Sequence, residues 1–316
     1  SVSLALLGFG YWALVVQVYL NIISMLIFTY LRVTWRPSFV LKRAHINRLM
    51  PFSLPLIGDQ SLNYWTRNVD NLLIGKVLGT TELAFYSKAY SIMLLPVKQI
   101  SRTITKVLFP SFSLIQNDID QIRNIYFKMS GVIAMVSFPL MTYLVIMGEE
   151  VILIILGNQW IESIPIFRIL CLLGVIQSIG TLIGNIFISQ GRTGLLFRIG
   201  LLSRSIMIAG IVIGLYNGGV KGVAVGYLIS SSIAFIIETS YLSKILKTTL
   251  LNILLNLANK TYCTIIMGIV VFVISLYLLD NLFLRVSATA VIFIYVYVTM
   301  LEITKNESVR SIKQII

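Results

Sequence analysis

The chain has 316 residues, 57% of them hydrophobic and only 12% charged, with a formal net charge of +13. A water-soluble globule needs a charged exterior, so this composition excludes one. Two cysteines and one histidine exclude a disulfide framework and leave almost no material for a histidine metal site or a Ser/His/Asp triad, so no metal, cofactor or catalytic centre is expected.

Recurring apolar runs predict an all-α fold, a polytopic transmembrane helix bundle of about nine spans. In chain order they are 10–32, 50–76, 82–109, 124–148, 162–190, 193–216, 220–245, 261–279 and 282–303. The runs do not alternate at period two, which argues against barrel strands. The spans 50–76 and 82–109 carry the most charge, and a simple hydropathy window is expected to miss them. The segment EEVILIILGNQW (149–160) is too short to span and reads as an interfacial half-helix with Trp160 as an aromatic anchor. Glycines four apart (Gly180/Gly184, Gly210/Gly214, Gly218/Gly222/Gly226) are expected to allow close helix packing.

Basic residues alternate between loops. Arg32, Arg36, Lys42, Arg43 and Arg48 lie on one side, with Arg123, Lys128, Arg192, Arg198, Lys244, Lys247, Lys260, Lys305, Arg310 and Lys313; Lys76, Lys221 and Arg285 lie on the other. The first group is read as cytoplasmic, which explains the positive charge by topology and lipid headgroups, with no nucleic-acid partner. This orientation puts Ser1 outside and the C-terminus in the cytoplasm. With no initiator Met and no signal peptide, the chain is expected to lack its natural N-terminal part.

Two spans carry polar stripes. Asp59, Asn63, Arg67 and Asp70 fall on one face of 50–76, and Lys88, Ser91, Lys98, Arg102, Thr105 and Lys106 near one face of 82–109. A charge at mid-bilayer costs roughly 2.5–3.5 kcal/mol, so these faces should line a wet cavity or pair within the bundle. Lys106 can snorkel, and Lys88 is placed to pair with Asp70 as a structural bridge or gate. Arg67, Lys98 and Arg102 are read as cavity-lining, with a buried structural network as the competing account. Arg204 and Glu238, on consecutive spans, are read as a structural pair, and Arg168 as buried and alone on its helix. Basic side chains outnumber acids on the two striped helices. The expected cavity is therefore positive and suited to an anion, phosphate above all. Pro96 and Pro139 interrupt spans and can kink them.

The strings GFGYWALVVQ (8–17), WRP (35–37), DNLLIGKVLG (70–79), YSKAY (86–90), FPSFS (109–113), GNQW (157–160) and QGRTG (190–194) resemble the polysaccharide transporters of the multidrug/oligosaccharidyl-lipid/polysaccharide exporter superfamily, nearest the lipopolysaccharide/O-antigen flippase type. Ala84 departs from the glycine that the family pattern would place there. The resemblance implies two lobes of about six helices related by pseudo-symmetry. Residues 1–49 would then be the last helix of an absent N-terminal lobe with a basic cytoplasmic loop. Residues 50–248 would be a six-helix C-terminal lobe, and 249–316 two additional transmembrane helices with a tail. It also implies flipping of a polyprenyl-diphosphate-linked oligosaccharide across the bacterial inner membrane for surface polysaccharide biosynthesis. Arg67, Lys98, Arg102, Asn63 and Asp59 would face the substrate and Asp70–Lys88 would form a gate or ion pair. The implied partners are the lipid-linked oligosaccharide diphosphate, membrane lipids and polysaccharide polymerase machinery.

Two rival readings are a cation-coupled drug exporter, which should concentrate carboxylates, and a membrane-embedded glycan polymerase, ligase or acyltransferase, which should show a large external loop or a catalytic His, Asp or Glu. A scaffold without transport activity is a third. Asp118-Ile119-Asp120 mimics a glycosyltransferase DxD but sits in a short loop, without the sheet domain that would hold a nucleotide-sugar. NKT (259–261) and NES (306–308) match a glycosylation pattern on the cytoplasmic side, where it is not read.

Overall fold

In the computed structural model the backbone is described for residues 12–34, 42–116, 118–277 and 282–303. The described secondary structure is helical: α1 (Trp12–Arg32), α2 (Arg43–Val77), α3 (Thr80–Leu114), α4 (Ile119–Ile146), α5 (Gly148–Leu156), a 3-10 turn (Asn158–Trp160), α6 (Ser163–Ser189), α7 (Thr193–Ile245), α8 (Leu250–Tyr277) and α9 (Leu282–Ile303). The helix α7 is two arms broken at Gly218 and Gly219, whose backbone leaves the helical region. With the arms counted separately, the long helices match the expected spans one for one.

Five helices are long and apolar enough to cross a membrane by length and composition: α1, α4, α6, α7 and α8. The striped helices α2 and α3 are not among them, because their charges dilute the apolar signal. The protein is a multi-pass membrane protein. Its chain divides into two compact units, residues 1–49 and 50–316. The first holds the apolar helix α1, and α2 begins in the first and lies mostly in the second.

Some boundaries differ from the sequence reading. The helix α2 starts at Arg43 and runs through Pro51 and Pro55. The expected start near 50 falls within this helix, where a proline would equally suit a first helical turn. The helix α8 starts at Leu250, where Asn252, Asn256 and Asn259 imitate a loop. Asn256 in fact donates from Nδ2 to the Phe127 carbonyl (3.1 Å) and Ser130 Oγ (3.0 Å) on α4. Lys260 lies buried within α8 and donates to the Asn256 carbonyl at 3.0 Å, so it is not a loop residue.

Within the second unit α6 is the central element, packed on α3, α4 and α7, while α8 packs on α4 and α9 on α8. One buried cluster joins Ile74, Tyr86, Met93, Phe167, Leu170 and Tyr227, and another joins Phe112, Tyr126, Phe138, Phe187 and Leu242. In lipid such association rests on close packing and interhelical hydrogen bonds, since the surroundings are as apolar as the side chains. The two arms of α7 illustrate it. A Cβ on Gly214 would strike the Gly222 carbonyl, and one on Gly226 the Gly210 carbonyl. Gly219 makes the intervening turn at φ +56°, a conformation costly for side chains with a Cβ. Gly180 and Gly184 behave differently from the expectation: a Cβ on either meets nothing within 4 Å.

The short helix α5 is where the sequence placed a half-helix. Its Glu149 pairs with Arg168 (3.6 Å) and its Glu150 with Arg285 (3.4 Å); Arg168 is the single charge on α6, as read, but it is partly exposed rather than buried and has a partner on α5. Trp160 is half-buried and packs edge-on to Phe85 with ring centroids 5.7 Å apart. The Asp118-Ile119-Asp120 motif is a helix start: Asp118 caps α4 by accepting from Gln121 N–H at 2.9 Å, and Asp120 pairs with Arg123 at 2.8 Å. Both cysteines are buried and form no disulfide.

Candidate functional site: a polar pocket between α2, α6 and α7

The helix α2 is joined to α7 by side chains reaching across. Phe197 packs over Gly58, Thr193 Oγ1 donates to the Phe52 carbonyl at 2.9 Å, and Arg204 Nη1 meets Asp59 Oδ1 at 2.6 Å. This spacing leaves a cavity of about 390 Å³ whose wall includes Asp59, Gln60, Asn63, Thr66 and Arg67 of α2. The helix α6 adds Gln177, Gly180, Thr181, Gly184 and Asn185, and α7 adds Arg204, Tyr227, Ser231 and Glu238. Gly180 and Gly184 open the α6 wall by presenting no side chain, which accounts for the empty space beside them.

The wall carries the Asp59–Arg204 ion pair, whose side chains are only 10% and 15% exposed. Gly200 makes room for it, because a Cβ there would meet the guanidinium and would lie 2.7 Å from Asp59 Oδ1. Arg204 therefore pairs with Asp59 rather than with Glu238. Glu238 is an electrostatic neighbour of both partners, and no ion pair within bonding range forms to it among the described residues. Tyr227 accepts from Gln177 Nε2 at 3.4 Å. Gln177 Oε1 and Ser231 Oγ have no hydrogen-bond partner among the described residues.

The structure thus brings Asp59, Asn63 and Arg67 to one pocket and leaves Lys98 out of it. Lys98 is exposed on α3 and absent from the pocket wall. Arg102 belongs to the backbone of α3, but its side chain lies outside the described residues. The expected excess of positive charge is not found in this pocket: Arg67 and Arg204 face Asp59 and Glu238, and the formal charges balance. The Asp70–Lys88 pair does not form among the described residues. Asp70 is buried and accepts the Tyr86 hydroxyl at 2.8 Å and its neighbour Asn71 N–H at 2.7 Å. Lys88, two residues from Tyr86, sits on the other side of α3 and is exposed.

Sequence reasoning missed Gln177, Thr181 and Asn185. Their spacing of four puts them on one face of an otherwise apolar span, and that stripe was a usable signal. Ser231 and Glu238, seven apart on α7, repeat the pattern.

The family model described as "Polysaccharide biosynthesis protein" matches residues 1–165. The chain belongs to that family. Among curated relatives of this chain, the lipopolysaccharide biosynthesis protein WzxC of Escherichia coli is 28% identical over 66% of this chain and 42% of its own. The teichuronic acid biosynthesis protein TuaB of Bacillus subtilis is 28% identical over 78% of this chain and 51% of its own. The succinoglycan biosynthesis transport protein ExoT of Rhizobium meliloti is 27% identical over 54% of this chain and 35% of its own. The chain spans about half or less of the length of these relatives. The fold is similar to that of the lipid II flippase MurJ in its inward closed conformation. The TM-score is 0.70 at 15% identity, covering 89% of this chain and 59% of that one.

Proposed function

We propose that this family member moves a polyprenyl-diphosphate-linked oligosaccharide across the bacterial inner membrane during surface polysaccharide biosynthesis, with its C-terminus in the cytoplasm. The observation that carries the reading is a polar pocket, bounded by charged and amide side chains, inside an apolar bundle whose fold resembles a lipid II flippase. A charged helix face has no stable place in lipid, and a transporter supplies the hydrated interior that tolerates it. In this reading residues 50–248 form a transporter lobe, 249–316 an added helix pair, and 1–49 the helix and basic loop that lead into the lobe.

The cargo divides by chemistry. Its lipid tail stays in the bilayer, its diphosphate meets basic side chains, and its sugars occupy hydrated space. Arg67 stands at the pocket with a guanidinium that forms no ion pair among the described residues. Lys98 and Arg102 extend positive charge along α3, and Asn63 and Asp59 line the path. Arginine offers diphosphate a bidentate fork and lysine a point charge. Movement of the lobe then exposes the cargo to the other side.

The test is export of cell-surface polysaccharide in a strain lacking its own copy. Charge reversal at Arg67 or Arg102 is expected to abolish surface polymer while lipid-linked intermediates accumulate inside. Wild-type polymer at normal protein levels in both variants would overturn the role given to these residues.

A further inference from the structure

We propose that the pocket between α2, α6 and α7 is a subsite for a neutral, hydroxyl-rich sugar residue, and that the diphosphate of the cargo binds outside it, with the exposed Arg67 on the border between the two. The inference rests on the export reading and names which part of that cargo the pocket takes.

Charge is the first argument. Two guanidinium groups face two carboxylates, and Arg204 is already committed to Asp59 at 2.6 Å. A diphosphate entering here would gain only Arg67, at the border, and would meet the carboxylates of Glu238 and Asp59, whose like charge repels it. A neutral ligand meets no such penalty.

Hydrogen-bonding capacity is the second. The wall offers amides from Gln60, Asn63 and Gln177, a hydroxyl from Ser231 and a carboxylate from Glu238. An amide both donates and accepts, and so does every sugar hydroxyl, which lets the two interlock at several points. Part of this capacity is unspent. Ser231 is 6% exposed and its Oγ has no partner among the described residues, nor has Gln177 Oε1. Buried polar atoms left in that state carry a desolvation cost that a polar ligand removes. Gln177 is only half-buried and lines the pocket.

Shape is the third. A volume of about 390 Å³ falls within the roughly 300–1,000 Å³ typical of small-molecule sites.

The test uses the full-length protein purified in detergent, with calorimetric titration of two probes. One is the water-soluble oligosaccharide released by mild acid from the host's lipid-linked intermediates, and the other is inorganic pyrophosphate. The oligosaccharide is expected to bind, pyrophosphate not to displace it, and Gln177→Leu combined with Ser231→Ala to weaken it at least tenfold. Asn63→Leu replaces that pair if the double variant fails to accumulate. The inference is overturned if pyrophosphate displaces the oligosaccharide, if the variants bind as tightly as the wild type, or if millimolar oligosaccharide gives no heat. Each of these outcomes leaves the export reading standing as long as charge reversal at Arg67 or Arg102 still abolishes surface polymer. If both reversals leave export intact, the export reading itself fails.

Discussion

The two ends of the α7 hairpin solve opposite problems with the same secondary structure. Near the turn, Gly210 and Gly214 of the first arm lie against Gly226 and Gly222 of the second, and backbone touches backbone. Farther along, the same arms carry Arg204 on one and Ser231 and Glu238 on the other, and they border a pocket. Glycine removes side chains so that the arms can meet. Charged and polar residues require water or partners, and so hold a space open between α7, α2 and α6. One hairpin thus has a close-packed end and a polar end, and the proposed sugar subsite lies at the polar one.

The sharpest way to break this contrast is at the close-packed end. Gly214→Val puts a branched side chain against the Gly222 carbonyl, where only backbone could yield. The expected cost exceeds the about 1–3 kcal/mol of ordinary overpacking, and the variant should fail to accumulate in membranes, as read by immunoblot. At the polar end, Arg204→Met strands Asp59 in a largely buried site. The expected loss is about 3 kcal/mol, the low end for broken buried pairs because the pocket admits water. Thermal melting in detergent measures it, and Asp59→Asn added to Arg204→Met should restore most of the loss. That non-additivity is the signature of a direct pair.

A smaller effect is expected between the two regions. Tyr86→Phe removes the hydroxyl that donates to buried Asp70 at 2.8 Å, at a cost of about 1–3 kcal/mol. Lys88→Ala should leave melting unchanged, and an equal loss in both variants would reinstate Lys88 as the partner of Asp70. The smallest effect is at the surface. Asp118→Ala removes the α4 cap and should cost about 1 kcal/mol, with no change in oligosaccharide binding to the pocket.

Much of the architecture was legible because membrane helices announce themselves locally. Runs of apolar residues fix where spans lie, and the Gly218–Gly219 break falls where the pattern expected a loop. Helix ends were less legible. Prolines at 51 and 55 and the asparagines of α8 look like boundaries until neighbouring helices satisfy them. The site was half legible. The stripe through Asp59, Asn63 and Arg67 pointed to α2, since charge on a membrane helix face has few destinations. Its partners could not be read the same way. Arg204 lies 145 residues from Asp59, and nothing in either helix alone favours that pairing over Arg204 with Glu238.

The sequence by itself determined that this is an all-helical membrane chain, where its spans fall, and which helix faces are too polar for lipid. Those properties follow from residue-by-residue transfer energies and a fixed helical period. Only the tertiary structure decided which polar faces meet. It matched Arg204 to Asp59, turned Asp70 to Tyr86, and set α2 against α6 and α7 around a pocket whose formal charges balance, with Lys98 of α3 outside it. Pairing depends on distances between helices, and those are set by packing across the whole bundle rather than by any one segment.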